Sequence, residues 1–334
     1  MMVLKSKYVL WVMLLLSVVL TSCLKEDERV APHQPGQSTE GSFNMGTNYR
    51  YQSYFDFASN SFVGQNSKGV WDLGFETTPQ GFAIITNGAK FCKVKRTGNT
   101  NFDAVTDTAG NPWRVDVLGY LDSTAIGTWG TYNADTAISN GVCYIIDRGY
   151  DESNNYVGFK KFIIEGANSA SYTITYANLD GTEKYTTTVT KRPGYNFTFF
   201  SLNGAGAEVD VEPTADTWDI SFTQYIYIYR TVEYPNFPYL VVGVVLNSSN
   251  VAAAADSVSG YENIVLADTA NMEFHNQLDI IGYNWKQFDG TSFIVKPQNV
   301  YVVRNRNGLY YKIHFTDFYK DGIKGNIAFE FQQL

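Results

Sequence analysis

From about residue 48 onward, bulky apolar residues alternate with polar ones in short runs, and turn-forming residues close nearly every run. Period-two alternation places apolar side chains on one face of an extended segment, the pattern of a half-buried strand. Tyr172 to Tyr176 (YTITY) has this pattern; the turn Leu179-Asp180-Gly181 follows, then Tyr185 to Thr190 (YTTTVT), predicted as its partner strand. Phe82 to Thr86 (FAIIT) is a short apolar run closed by Asn87-Gly88, and Tyr225 to Tyr229 (YIYIY) puts tyrosines on one face and isoleucines on the other. Val300 to Phe315 holds Asn307-Gly308 between two strand-like runs, a strong hairpin signal because both residues tolerate positive φ. Only Asn250 to Ala255 (NVAAAA) reads as helical, and it is too short to stand alone.

The pattern also repeats. Tyr51 to Phe75 ends in VWDLGF and Tyr195 to Phe222 ends in TWDISF, each opening on an aromatic-rich strand (YQSYFDF; YNFTFFSL). Each half closes on a long hairpin, Tyr144 to Tyr176 and Tyr301 to Phe331. The predicted fold is therefore all-β, with two related antiparallel β units at 48–190 and 191–334. Trp71 and Trp218 are expected as core anchors, with Asp72 and Asp219 fixing nearby backbone donors.

The start of the chain breaks the alternation. Tyr8 to Leu20 is almost wholly apolar, Lys5 and Lys7 precede it, and Leu20-Thr21-Ser22-Cys23 follows. A short apolar core between a basic start and a small-residue site reads as a signal peptide, 1–22, rather than a membrane span. Leu-Thr-Ser-Cys resembles a bacterial lipobox, which would lipidate Cys23; each buried lipid methylene contributes about 0.8 kcal/mol to membrane retention. Lys25 with the acids after it resembles an export signal to the outer face of the outer membrane, and equally reads as a solvated tether. Residues 23–47, interrupted by Pro32, Pro35, Gly36, Gly41 and Gly46, are expected to be that tether.

Composition narrows the function. The formal charge is −8, or −10 once Lys5 and Lys7 are removed, which disfavours nucleic acid. Aromatic residues at 16% against 17% charged suit a β-rich extracellular body. Cys92 and Cys143 are the two thiols left beside Cys23; in an oxidising compartment they could pair as a disulfide, and neither lies in a metal-binding CxxC. There is no GxSxG elbow, HExxH motif or phosphate loop, so an enzyme is not expected, although dispersed carboxylates of a hydrolase stay open.

Four stretches carry a family resemblance: Trp218 to Phe222, Tyr239 to Asn247 (YLVVGVVLN), Asp279 to Lys286 (DIIGYNWK) and Tyr301 to Phe331. In these the chain resembles the HmuY family of haem-binding surface lipoproteins of Bacteroidetes, well over its second half and more loosely over its first. The resemblance implies an all-β protein that captures haem at the cell surface and passes it to a TonB-dependent outer-membrane receptor. It also implies axial ligands from the protein, a His pair or in some relatives Met. Here this chain departs, because the position after Trp285 and Phe288 where one His would fall holds Asp289-Gly290.

Haem iron takes His, Met, Cys or Tyr as donor. Met272 and His275, three residues apart in a polar stretch beside the expected cleft, are the candidate haem ligands, and a packed Met beside a solvated His is the other reading. His314, between Ile313 and Phe315 in a strand, reads as structural, and Met45 as a remote candidate. Tyr225 to Tyr239 (YIYIYRTVEYPNFPY) reads first as a strand followed by a Pro-structured loop that needs no ligand, and second as a surface of flat aromatics suited to a planar ligand or a sugar face. A haem-binding surface lipoprotein and an interaction lipoprotein of the same fold without haem are the two functional readings carried forward.

Overall fold

The computed structural model describes residues 34–334; the signal peptide, Cys23 and the start of the tether lie outside the described residues. Residues Pro35–Leu334 form one compact unit built almost wholly of antiparallel strands. The all-β expectation holds, and no helix among the described residues is long and apolar enough to cross a membrane.

Four sheets build two sandwiches. In the first, the four-stranded sheet Ala207–Val209, Phe197–Ser201, Leu73–Glu76, Ile84–Thr86 faces a seven-stranded sheet whose backbone is the hairpin Phe159–Asn168/Ser171–Ala177. Leu73, Phe75, Ile84, Tyr144, Phe162, Tyr172 and Phe200 fill its core. In the second, the sheet Pro235–Leu246, Ile220–Arg230, Tyr51–Asp56, Ser61–Ser67 faces a five-stranded sheet around the hairpin Tyr310–Lys320/Ile323–Gln333. Phe55, Phe222, Trp285, Phe315 and Phe329 close that core. Burying each such ring contributes about 1.5–3 kcal/mol.

The two halves exchange hairpins. The strand before the first Trp-Asp pairs with the strand after the second, Ile220 opposite Phe55, while the strand before the second Trp-Asp pairs with the strand after the first, Phe200 opposite Leu73. Each aspartate then locks the exchange. Asp72 N donates to Phe200 O at 2.9 Å and its Oδ2 accepts from Leu202 N at 2.7 Å; Asp219 N donates to Phe55 O at 2.8 Å and its Oδ2 accepts from Phe57 N at 3.0 Å. The asparagines that follow do the same job in both copies. Asn87 Nδ2 donates to the carbonyls of Lys68 and Trp71, and Asn247 Nδ2 to those of Ala215 and Trp218. The repeat is real and both Trp residues are buried, but the boundary expected near residue 190 does not separate the sheets, because each small sheet takes strands from both halves.

Three expectations need correction. Asn250 to Ala255 is not helical: Ala252–Asp256 is an edge strand paired with Val300–Arg304, with Ala252, Ala253 and Ala254 buried, so tertiary pairing overrides alanine's helix preference. The tether ends early. Thr39–Asn44 adds a strand to Ile323–Gln333, Gly41 lies where any Cβ would meet the Phe329 ring, and Met45 is fully buried in the second core rather than free to ligate. Cys92 and Cys143 form no disulfide; both are free and buried. The pairing of Lys93 with Asp147 and Arg96 with Tyr144 puts them at opposite ends of a strand pair, roughly 15 Å apart at strand rise, beyond the reach of a disulfide.

Candidate functional site

The hairpin Ile220–Arg230/Pro235–Leu246 carries the sequence's tyrosine-rich segment. Opposite it stands the small hairpin Lys286–Phe288/Phe293–Val295. What fixes the second against the first is a backbone crossing at Gly243. Val244 and Gly282 exchange two hydrogen bonds of 2.9 Å, and a Cβ on Gly243 would lie 2.5 Å from Gly282 O. Only glycine lets segment 278–285 approach this closely, and that approach sets Tyr283, Trp285 and Lys286 in place.

A cleft of about 710 Å³ lies between the hairpins. Its walls include Tyr229, Tyr239, Tyr283, Phe288, Phe293 and Phe318. The rings brace one another edge to face: Tyr227 meets Tyr283 at 4.9 Å and Tyr229 at 5.2 Å, and Tyr229 meets Tyr239 at 5.7 Å. Such pairs hold aromatic walls open and leave faces free to stack on a flat guest. The volume falls within the range of small-molecule sites, roughly 300–1,000 Å³.

The polar side chains around the cleft are tyrosines, Gln224, Gln287, Lys286 and Lys324, with no carboxylate among the lining residues. Lys286 is 5% exposed; its Nζ lies 4.0 Å from the Trp285 ring centroid and 4.9 Å from that of Phe318, and donates to Val242 O at 2.6 Å. Burial among rings pushes its ammonium down to about 7. Burial also pushes the Tyr49 phenol up to about 12 and raises that of Tyr283, so both are neutral near pH 7. On a protein of net charge −8 this is a locally cationic, aromatic cleft.

Sequence reasoning marked the tyrosine segment and missed Lys286, whose setting Asn-Trp-Lys-Gln-Phe gives no sign of burial. The expected donors lie elsewhere. Met272 packs in a separate apolar cluster with Tyr261, Ile264, Val300 and Phe274. His275 is exposed, its backbone bridged to Ala253 and its Nε2 3.7 Å from Glu273. Neither lines the cleft, and no His, Met or Cys does. His314 is structural as expected: its ring stacks on Tyr261 at 4.1 Å and Nε2 lies 3.1 Å from Glu330. Among the described residues no group of three or more His, Cys, Asp or Glu side chains could hold a metal ion.

A second cavity of about 340 Å³ lies between the two small sheets, bounded by Trp71, Trp218 and Glu212. Burial pushes the Glu212 carboxyl up to about 7, although it accepts from Asn196 N at 2.8 Å and Phe197 N at 3.0 Å.

Fold and cleft together define an all-β protein of paired sandwiches that carries a ligand-sized aromatic cleft between two of its hairpins. The HmuY protein family model matches residues 48–331, and the chain belongs to that family. Among solved structures it is similar to apo PinO from Porphyromonas gingivitis, at 12% identity and TM-score 0.30 over 89% of this chain and 97% of that one. It is similar also to the apo HmuY analog of Tannerella forsythia, at 10% identity and TM-score 0.24 over 90% of this chain and 98% of that one. A third, assigned as a HmuY-like heme binding protein of Bacteroides vulgatus, shares 12% identity at TM-score 0.22 over 88% and 90% of the two chains. No curated protein matches the chain.

Proposed function

We propose that this protein is a lipid-anchored surface protein that binds haem in the aromatic cleft, without catalysis, and hands it to an outer-membrane receptor. The observation that carries this reading is the cleft itself: flat aromatic walls, a porphyrin-sized volume and a cationic lining in a member of the HmuY family. The lipobox at Cys23 supports the anchor. Axial donation falls to a phenol, since tyrosine is the only haem-donor residue type lining the cleft. An interaction lipoprotein of the same fold would need an exposed aromatic patch, which the half-exposed Tyr234, Phe237, Tyr239 and Phe288 at the cleft also offer, so a haemin titration separates the two readings.

The test is a haemin titration of residues 35–334, followed by the Soret band. A saturable one-to-one shift is expected, unchanged in Met272→Ala and His275→Ala and weakened at least tenfold when Tyr229 and Tyr283 are both replaced by leucine. No saturable shift would remove haem and favour the interaction lipoprotein. Loss of the shift in His275→Ala would return the iron to histidine.

A further inference from the structure

We propose that Lys286 is the recognition group for a carboxylate: the cleft selects flat, apolar carboxylic acids, and the acid rather than a metal carries the selectivity. This rests on the reading of the cleft as a ligand site and adds the chemistry by which it chooses.

Four observations converge on Lys286. It is nine-tenths buried yet lines the cleft. Its Nζ has one hydrogen bond, to Val242 O, although an ammonium carries three donors. No ion pair to it forms among the described residues, and it stands on the faces of Trp285 and Phe318 instead. Every charged or titratable side chain lining the cleft with it is cationic or phenolic: Lys324 from the last hairpin, Tyr49 from the turn Thr47–Tyr49, Tyr229, Tyr234 and Tyr239 from the long hairpin and its turn, and Tyr283 beside it.

An ammonium held among rings without a counter-ion is a costly arrangement unless something compensates it. Lys95 and Lys161 are buried in the same way, each with one carbonyl hydrogen bond, to Thr108 O and to Val105 O, and no ion pair among the described residues, but neither lines the cleft; three other interior lysines are fully compensated. Lys90 meets Asp72 at 2.5 Å, Lys160 meets Glu183 at 2.7 Å, and Lys191 donates to the carbonyls of Thr78, Pro79 and Gly81. What sets Lys286 apart is its place: it is the buried lysine that lines the cleft, so its missing partner would be supplied from there. A carboxylate there would form a charge-assisted hydrogen bond in low dielectric while the ligand's flat body stacked on the aromatic walls. The amine would take up a proton as the acid bound, because an adjacent carboxylate favours the charged form. Burial holds the unliganded ammonium near 7, so affinity for an acid should weaken as pH rises above 7, by up to tenfold per unit, while affinity for the matching ester should not.

The experiment uses 1-pyrenebutyric acid and its methyl ester as fluorescent probes, with haemin and haemin dimethyl ester beside them, on residues 35–334, which contain both cores whole. At pH 6.5 each acid should bind at least tenfold more tightly than its ester. Lys286→Met should erase that preference by weakening the acid alone, and the preference should shrink in the wild type between pH 7 and 9. The wild-type acid-to-ester ratio and its pH course need no variant, so they decide the matter even if Lys286→Met fails to fold. Equal binding of acid and ester, a preference that survives Lys286→Met in a folded variant, or no binding of either pair would overturn the proposal. Pyrenebutyrate selected through Lys286 without haemin binding would keep the acid site and discard haem. Haemin bound as tightly as its ester would keep haem and discard Lys286.

Discussion

Glu212 and Asp72 are both carboxylates inside the same fold, and their surroundings send them in opposite directions. Burial would raise Asp72, but Lys90 at 2.5 Å and Arg148 at 2.9 Å hold it below the usual carboxylate range. Glu212 has only backbone and amide donors, so burial prevails and its carboxyl titrates near 7. The folded state then holds a proton on Glu212 between about pH 4.5 and 7 that the unfolded chain has released, so this group's contribution to stability falls as pH rises through that window. Glu212→Gln should therefore flatten the stability profile there and stabilise the protein at pH 8 by about 2 kcal/mol. Urea denaturation at pH 5 and pH 8 checks this, and an equal effect at both would contradict it. Asp72→Asn should lower stability by about 3–5 kcal/mol, because it leaves two buried cations uncompensated; the same denaturation curves read it. At this scale the sequence was half legible. The Trp-Asp repeats announced Trp71, Trp218, Asp72 and Asp219, but nothing local distinguished Lys90, Arg148 or Lys286 from surface cations, because their partners lie far away in sequence. Met272 and His275 drew attention as haem-donor residue types, whereas ligation depends on which cavity a side chain reaches, and they reach neither the cleft nor its walls.

Among elements, hairpins were the most legible. Tyr172 pairs with Val189 as the alternation of both strands implies, and Val300–Arg304 pairs with Tyr310–Lys320 around the Asn-Gly turn. That turn does more than reverse the chain: Arg306 within it reaches Asp219 at 2.7 Å and Asp56 at 2.9 Å, tying the exchanged strand to the last sheet. The alanine run was misread because its partners and burial are set by distant strands, which no local propensity reports. Gly243 is the element-scale control of the cleft. Gly243→Ala places a methyl against Gly282 O and should push segment 278–285 outward. The expected result is a melting temperature several degrees lower and weaker haemin binding, with the all-β circular dichroism retained. Unchanged haemin affinity in this variant would show that the crossing does not shape the cleft.

Across the whole molecule, the exchange of hairpins joins what looked like two units. Alternation reads the same whichever copy of a repeated strand supplies the partner, so the sequence could reveal the repeat but not the exchange. Each sandwich lacks one hairpin of its small sheet without the other half. Fragments 35–190 and 191–334 should therefore be aggregated or unfolded when expressed alone and should recover native circular dichroism when coexpressed. Two fragments that fold separately would contradict the exchange. The same arrangement sets the long tyrosine hairpin on a strand from the first half, Tyr51–Asp56, so the cleft depends on both copies of the repeat.

The most direct measurement is the anomalous iron signal in crystals of residues 35–334 grown with haemin. A single iron peak between the two hairpins, bounded by Tyr229, Tyr283 and Phe293, is the result expected if the cleft is the haem site. A peak beside His275, or haemin stacked only in crystal contacts with the cleft empty, would contradict it.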